Sequence, residues 1–257
     1  MQNWGRLKMA LTDKLTAIAN AIREKTGSTE TMTLDAMATE ISNIQTGGSE
    51  KTEPYVEETY DSGGNLISAK LVGQSFIRDC AFYDCRSLSS VIIPSTVTKI
   101  GNSAFYYCTN FSITSLPENI TNIGKYAFQN CYSLALTSLP NDLTYIDEGA
   151  FLSCQNLKIE SIPHGVTKLY PSVFQACQSI SKFVFHSGVT DIYNSAFYYC
   201  TKLTSITFEG TPVSIGSSAF SNCTKLTTIN VPWAEGEVAN APWGATKATI
   251  NYNYVEP

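Results

Sequence analysis

The chain has 257 residues, a formal charge of −5 (17 Lys and Arg against 22 Asp and Glu), and charged residues make up 15% of it. Phosphate binding needs a stripe of Lys and Arg that displaces counterions, and no basic cluster occurs, so nucleic acid is not an expected partner. No run approaches the roughly 18 consecutive apolar residues of a membrane-spanning helix, and Lys8, Asp13, Lys14 and Arg23 interrupt the stretch where a secretory signal would need an uncharged core.

From the N-terminus, Leu11, Leu15, Ile18 and Ile22 recur at helical spacing, with Gly27 placed to serve as a left-handed C-cap. Thr33 can cap a second helix carrying Leu34, Met37, Ile41 and Ile44. Residues 1–46 are therefore expected to form a small helical hairpin. It is too short to bury much alone, so its apolar faces need a partner, and self-association through these helices is one way to supply it.

Residues 47–76 are expected to be a linker and a cap. Gly47, Gly48, Ser49 and Pro54 read as linker, and two strand-like runs, 55–60 and 66–71, flank an Asp-Ser-Gly-Gly-Asn turn to form a β-hairpin. The hairpin is expected to cover the first coil of a repeat stack beginning at residue 77, since a stacked fold exposes core and strand edges at an uncapped end.

Residues 77–231 are organised by one period. Phe82, Phe105, Phe128, Phe151, Phe174, Phe197 and Phe220 lie 23 residues apart, and each is followed three positions later by Cys85, Cys108, Cys131, Cys154, Cys177, Cys200 or Cys223. A period of this length with regular Leu and Ile belongs to the leucine-rich-repeat class of solenoid. The expected fold is an α/β repeat solenoid of seven coils with a parallel sheet on one side. Within one coil, Leu88, Val91 and Ile93 give the L-x-x-L-x-L phrase of a short strand, Pro94 stops it, and Ile100 and Gly101 lead into an Ala104-Phe105 pair expected on a short helical or 3₁₀ turn. Gly101, Gly124 and Gly216 mark a positive φ or a close backbone approach.

Three middle coils depart from the phrase. Their second apolar residue, Ile113, Leu136 or Ile159, stands one place earlier while the third stays in register, which predicts a bulge or a re-aimed strand.

The pattern I-G-x-x-A-F-x-x-C-x-x-L, with its period and its strand ending in Ile-Pro, resembles the BspA-like, treponemal-type leucine-rich repeats. Val173 in the Ala column, His186 and Glu209 in the proline column, and Asp147, Tyr170 and Tyr193 in the glycine column are mild departures. The resemblance implies a binding role, since members are mostly bacterial surface or secreted proteins implicated in adhesion. The N-terminal segment from Leu15 to Ile44 and the C-terminal tail look like segments of tail-associated proteins of phages and prophages of Gram-positive gut bacteria, which implies a virion-associated setting as the alternative to a cell-surface or secreted one.

After Val231 the repeat phrase stops. Residues 232–257 are expected to be a C-terminal cap in which Trp233 and Trp243 shield the last coil, ahead of a strand-like stretch over 248–254. An aromatic ligand site is the competing reading.

Seven cysteines at one coil position suit a narrow interior column, and are read as reduced thiols without catalytic, disulfide or metal role. No C-x-x-C occurs, so zinc is not expected. His164 and His186 have no recognisable nucleophile or metal partner, and no phosphate-cradling or dinucleotide glycine pattern appears. No enzyme activity and no cofactor are expected. The candidate ligand-binding residues are the outward tyrosines Tyr106, Tyr107, Tyr198 and Tyr199, and a polar ladder of Thr114, Ser115, Thr137, Ser138, Glu160 and Ser161. Each set equally describes a plain solvated surface. The partner expected is a protein or a surface glycan, in a recognition protein that is phage-associated or a bacterial adhesin; a spacer without ligand is the third reading.

Overall fold

β1 (Tyr55–Tyr60) and β2 (Leu66–Val72) pair antiparallel. The Asp61 carboxylate accepts hydrogen bonds from the Gly63 and Asn65 amides at 2.8 and 2.9 Å, and Gly64 takes φ 79° to close the turn. The computed structural model describes residues 54–255, so the helical hairpin expected in residues 1–46 lies outside the described residues. Strand β2 pairs in parallel with β4 (Ser90–Ile92), which makes the hairpin's second strand the first rung of the solenoid.

Each regular coil contributes two strands, so the single sheet expected on one side becomes two strips. The first strip holds β4 and, beyond the middle coils, β9 (Lys182–Phe185), β11 (Ser205–Phe208), β13 (Thr228–Asn230) and β14 (Thr249–Asn251), all paired in parallel. The second is built from two-residue strands: β3 (Phe76–Ile77), β5 (Lys99–Ile100), β6 (Asn122–Ile123) and β7 (Tyr145–Ile146), then β8 (Lys168–Leu169), β10 (Asp191–Ile192) and β12 (Ser214–Ile215). The reason is that the apolar residue after the proline turn is also held inward by an extended segment, so both apolar phrases of the coil form ladders. Strand β14 pairs with β13 at an offset of 21 residues (Thr228 with Thr249), so the C-terminal segment adds an eighth turn to the seven read from phenylalanine.

No helix occurs among the described residues, which corrects both the α/β class and the helical turn expected at each Ala-Phe pair. The amides of Cys80, Phe82 and Asp84 donate to the carbonyls of Asn102, Ala104 and Tyr106 in the next coil, while those of Ala81, Tyr83 and Cys85 donate three residues back. An amide spent on the next coil cannot serve a helix. Two left-handed positions recur through most coils, one through Cys80, Ser103, Tyr126, Gly149, Ser172 and Ser195, the other through Asp84, Tyr107, Asn130, Ser153, Ala176, Tyr199 and Asn222. Left-handed residues at these intervals interrupt any right-handed helix.

The core is a set of columns. Successive phenylalanine rings from Phe82 to Phe220 stand 5.2 to 5.7 Å apart, all buried. Beside them, the thiols of Cys108, Cys131, Cys154, Cys177, Cys200 and Cys223 each donate to the phenylalanine carbonyl 26 residues earlier, at 3.0 to 3.1 Å. Cysteine therefore fills the column and also supplies a weak donor to the coil below. Cys85 has no such coil below, and its thiol turns toward the Tyr83 carbonyl at 3.9 Å.

Burial pushes the Cys108 thiol up to about 12 and raises those of Cys131, Cys154 and Cys177 well above the ordinary thiol range. Thiolate is the reactive form, so these groups are inert in the folded chain. A thiol-reactive disulfide reagent at pH 8 should label exposed Cys80 quickly and half-buried Cys85 more slowly in the native protein, and all eight cysteines only in denaturant. Fast native labelling of Cys108 or Cys154 would overturn the buried column.

Candidate functional site

The middle coils decide where the outer face changes character. In a regular coil the second and third apolar residues, such as Val91 and Ile93 or Phe183 and Phe185, lie two apart and can share one face of a strand. In the middle coils Ile113 and Leu116, Leu136 and Leu139, and Ile159 and Ile162 lie three apart, which no strand can keep on one face. The column filled by buried Val91, Phe183, Ile206 and Ile229 is consequently occupied by exposed Thr114, Thr137 and Glu160, while Leu136 and Ile159 turn inward in their place. The expected bulge or re-aimed strand is instead a loss of strand. Between β4 and β9 the first strip forms no strand; the isolated bridge from Ser161 to Val184 and single inter-coil bonds, such as the Ala135 amide to the Ile113 carbonyl (3.2 Å) and the Lys158 amide to the Leu136 carbonyl (2.9 Å), remain.

The lost ladder opens hydrogen-bonding groups. The amides of Thr114, Ser115, Thr137, Ser138, Glu160 and Ser161 have no hydrogen-bond partner among the described residues. Exposed amides of this kind are satisfied by water or by a ligand. Over the third and fourth coils this strip forms a groove of about 790 Å³, lined by residues 137–139, Asn141, Lys158 and residues 160–164. Glu160 is tied to Lys182 at 3.1 Å, while Lys158 forms no ion pair among the described residues.

At one end of the groove the His164 ring lies 4.7 Å from that of His186. His186 is buried, accepts from the Gly188 amide at Nδ1 (3.1 Å) and meets the Val166 carbonyl through Nε2 (3.1 Å), which fixes the Nε2–H tautomer. It is thus a structural replacement for the proline of this column. Among the described residues no group of three or more His, Cys, Asp or Glu is placed to hold a metal.

The four candidate tyrosines form two separate groups. Tyr106 stacks on Tyr83 at 4.8 Å and meets Tyr107 at 4.9 Å, with the Arg86 guanidinium 5.5 Å from the Tyr107 ring. Tyr198 and Tyr199 pair at 6.2 Å, and the Tyr198 hydroxyl accepts from Asn222. The three coils between them carry Gln129, Leu152 and Gln175 in the Tyr106 column, so no continuous aromatic platform results. Tyr107 and Tyr199 take left-handed backbones, at φ 60° and 63°. A further aromatic row, Tyr145, Tyr170 and Tyr193, has ring spacings of 5.4 and 5.6 Å; only Tyr170 and Tyr193 were marked in the sequence, as departures from the glycine column. Burial, then the neighbouring Asp147 charge, pushes the Tyr145 phenol up to about 12.

Trp233 and Trp243 are both buried, with Phe208 5.1 Å from the first and 6.4 Å from the second, so these tryptophans pack into the last coils and are not open to a ligand. A stack of short parallel strands around columns of Phe, Cys and Leu defines a leucine-rich-repeat solenoid. The family model described as "BspA type Leucine rich repeat region" matches six copies over residues 75–204 and 190–239, well over half of the chain, and the protein belongs to that family.

Two solved structures share the fold. A leucine-rich cell surface protein from Faecalibacterium prausnitzii is 28% identical with a TM-score of 0.57, over 72% of this chain and 54% of its own. The leucine-rich-repeat protein of T. pallidum is 23% identical with a TM-score of 0.53, over 66% of this chain and 87% of its own, and shows the fold alone. The chain thus spans about half the length of the Faecalibacterium protein. No curated protein sequence matches it. None of these comparisons supports the resemblance of the two ends to phage-tail proteins.

Proposed function

We propose that this is a non-enzymatic recognition protein that presents its solenoid to a protein or glycan at a cell surface. The observation that carries the reading is the groove over the third and fourth coils, where the register shift turns Thr137, Ser138, Glu160 and Ser161 outward and leaves their amides open. The shift keeps Leu136 and Ile159 in the core while it gives the outer face of these coils a polar strip that the regular coils lack. Repeat proteins of this type generally bind, and the description of the Faecalibacterium relative as a cell surface protein favours the same setting over a phage tail. In this reading residues 77–231 present the surface, 232–257 cap it, 47–76 lead into it, and the module at 1–46 anchors it.

The test is binding of labelled protein to bacterial and epithelial cells. The double variant S138R/S161R should reduce binding while Y106S/Y107S/Y198S/Y199S leaves it unchanged. The reverse pattern moves the site to the tyrosines, and no binding to any cell favours the spacer.

A further inference from the structure

Resting on that reading, we infer that the groove over the third and fourth coils takes an acidic oligosaccharide laid along the solenoid axis. Protein interfaces draw their binding energy from aromatic, Arg and large apolar anchors set in desolvated pockets. The groove offers none: its lining has no Trp, Tyr, Phe or Arg, and its large aliphatic side chains, Leu139 and Ile162, are buried in the core. What it presents are hydroxyls on Thr137, Ser138 and Ser161, the Asn141 amide, and open backbone amides in the strip above each coil.

Hydroxyls both donate and accept, so a polyol can pair with every one of these groups where an apolar side chain can pair with none. Ser138 and Ser161, each with an open amide, hold the same position in the third and fourth coils, whose stacked Phe128 and Phe151 rings lie 5.4 Å apart. That step is close to the advance per sugar of an extended pyranose chain, so neighbouring sugars meet Ser138 on one coil and Ser161 on the next. Water that satisfies the open amides in the free protein is replaced by sugar hydroxyls.

Charge selects among sugars. Glu160 is neutralised by Lys182 at 3.1 Å, which leaves Lys158 as the groove's uncompensated cation among the described residues, in a chain whose net charge is −5. A lysine ammonium is a point charge suited to a carboxylate, so the groove favours a glycan that carries one, such as a uronic or sialic acid.

The experiment applies the full chain to an array of neutral and acidic glycans, with Lys158→Glu, Lys158→Arg and Ser138→Trp as variants and native thiol labelling as the check that each is folded. Acidic glycans should be bound, Lys158→Glu should weaken binding at least about tenfold, Lys158→Arg should retain it and Ser138→Trp should abolish it. Binding of neutral glycans only, no glycan bound, or a signal indifferent to Lys158→Glu and Ser138→Trp overturns the inference. Cells treated with periodate separate the glycan from the recognition role. Binding that survives periodate yet is lost in S138R/S161R means a protein ligand, so recognition stands and the glycan falls; absence of cell binding in any condition removes the recognition role itself.

Discussion

Phe128→Ala should destabilise the fold by about 3–5 kcal/mol, the range for truncating a buried aromatic ring. Phe128 has no solvent exposure and stacks between Phe105 at 5.2 Å and Phe151 at 5.4 Å, with Phe111 at 6.4 Å beside it. A ring in the middle of a stack serves the interfaces on both sides. In a solenoid, stability is close to a sum of coil and nearest-neighbour terms, so the lesion uncouples the N-terminal coils from the C-terminal ones. Urea denaturation followed by circular dichroism should show a lowered midpoint and a broadened transition. Thiol release during the same titration should expose cysteines on the two sides of the lesion at different urea concentrations. Phe82→Ala, at the end of the column with one stacked neighbour in it, should cost less. Equal losses at the two positions would contradict the column as the unit of stability.

Gly101→Ala should cost about 1–3 kcal/mol, the ordinary range for forcing extra atoms into a packed site. A Cβ at Gly101 would stand 2.6 Å from the Asp79 amide nitrogen and 2.7 Å from the Arg78 carbonyl carbon, and one at Gly124 would stand 2.8 Å from the Asn102 nitrogen. These are backbone atoms of the adjoining coil, so relief requires the coils to separate. Neither glycine is left-handed; of the two reasons the sequence allowed, close approach is the operative one. Gly63→Ala is the control, because its Cβ would meet only the ends of the Asn65 and Asp61 side chains at 3.2 Å, and surface changes of this kind stay within about 0.5 kcal/mol. Thermal melts of Gly101→Ala and Gly63→Ala check the ordering. The same column carries Tyr170 just after β8, and the second strip breaks between β7 and β8, where that ring first has to be accommodated.

Much of this fold was legible because a period is a one-dimensional signal. Seven phenylalanines and seven cysteines at fixed spacing place themselves in columns whatever the local backbone does. The sequence also marked the middle coils as different, since Ile113, Leu136 and Ile159 break the phrase in plain view. Local conformation was not legible in the same way. The turn around each Ala-Phe pair looked helical, yet its alternate amides donate to a coil 22 residues further on, and left-handed backbones fall on Ser, Tyr and Asn positions that carry no glycine signal.

The candidate site divides along the same line. Thr137 and Ser138 were singled out as polar ladder residues and do line the groove, whereas Lys158, Asn141 and His164 joined them only through stacking. Residues 20 or more apart cannot be grouped by pattern alone unless each sits in a repeating column.

Sequence by itself determined the stacking class, the occupants of the core columns and the reduced state expected of the cysteines, because all three follow from identical side chains meeting at one period. Tertiary structure alone decided that each regular coil carries two strands, that the C-terminal segment forms a further turn, and that the register shift removes a strand and opens a groove. Those outcomes depend on which backbone groups find partners in the neighbouring coil, and a hydrogen bond between coils leaves no mark on either residue's identity.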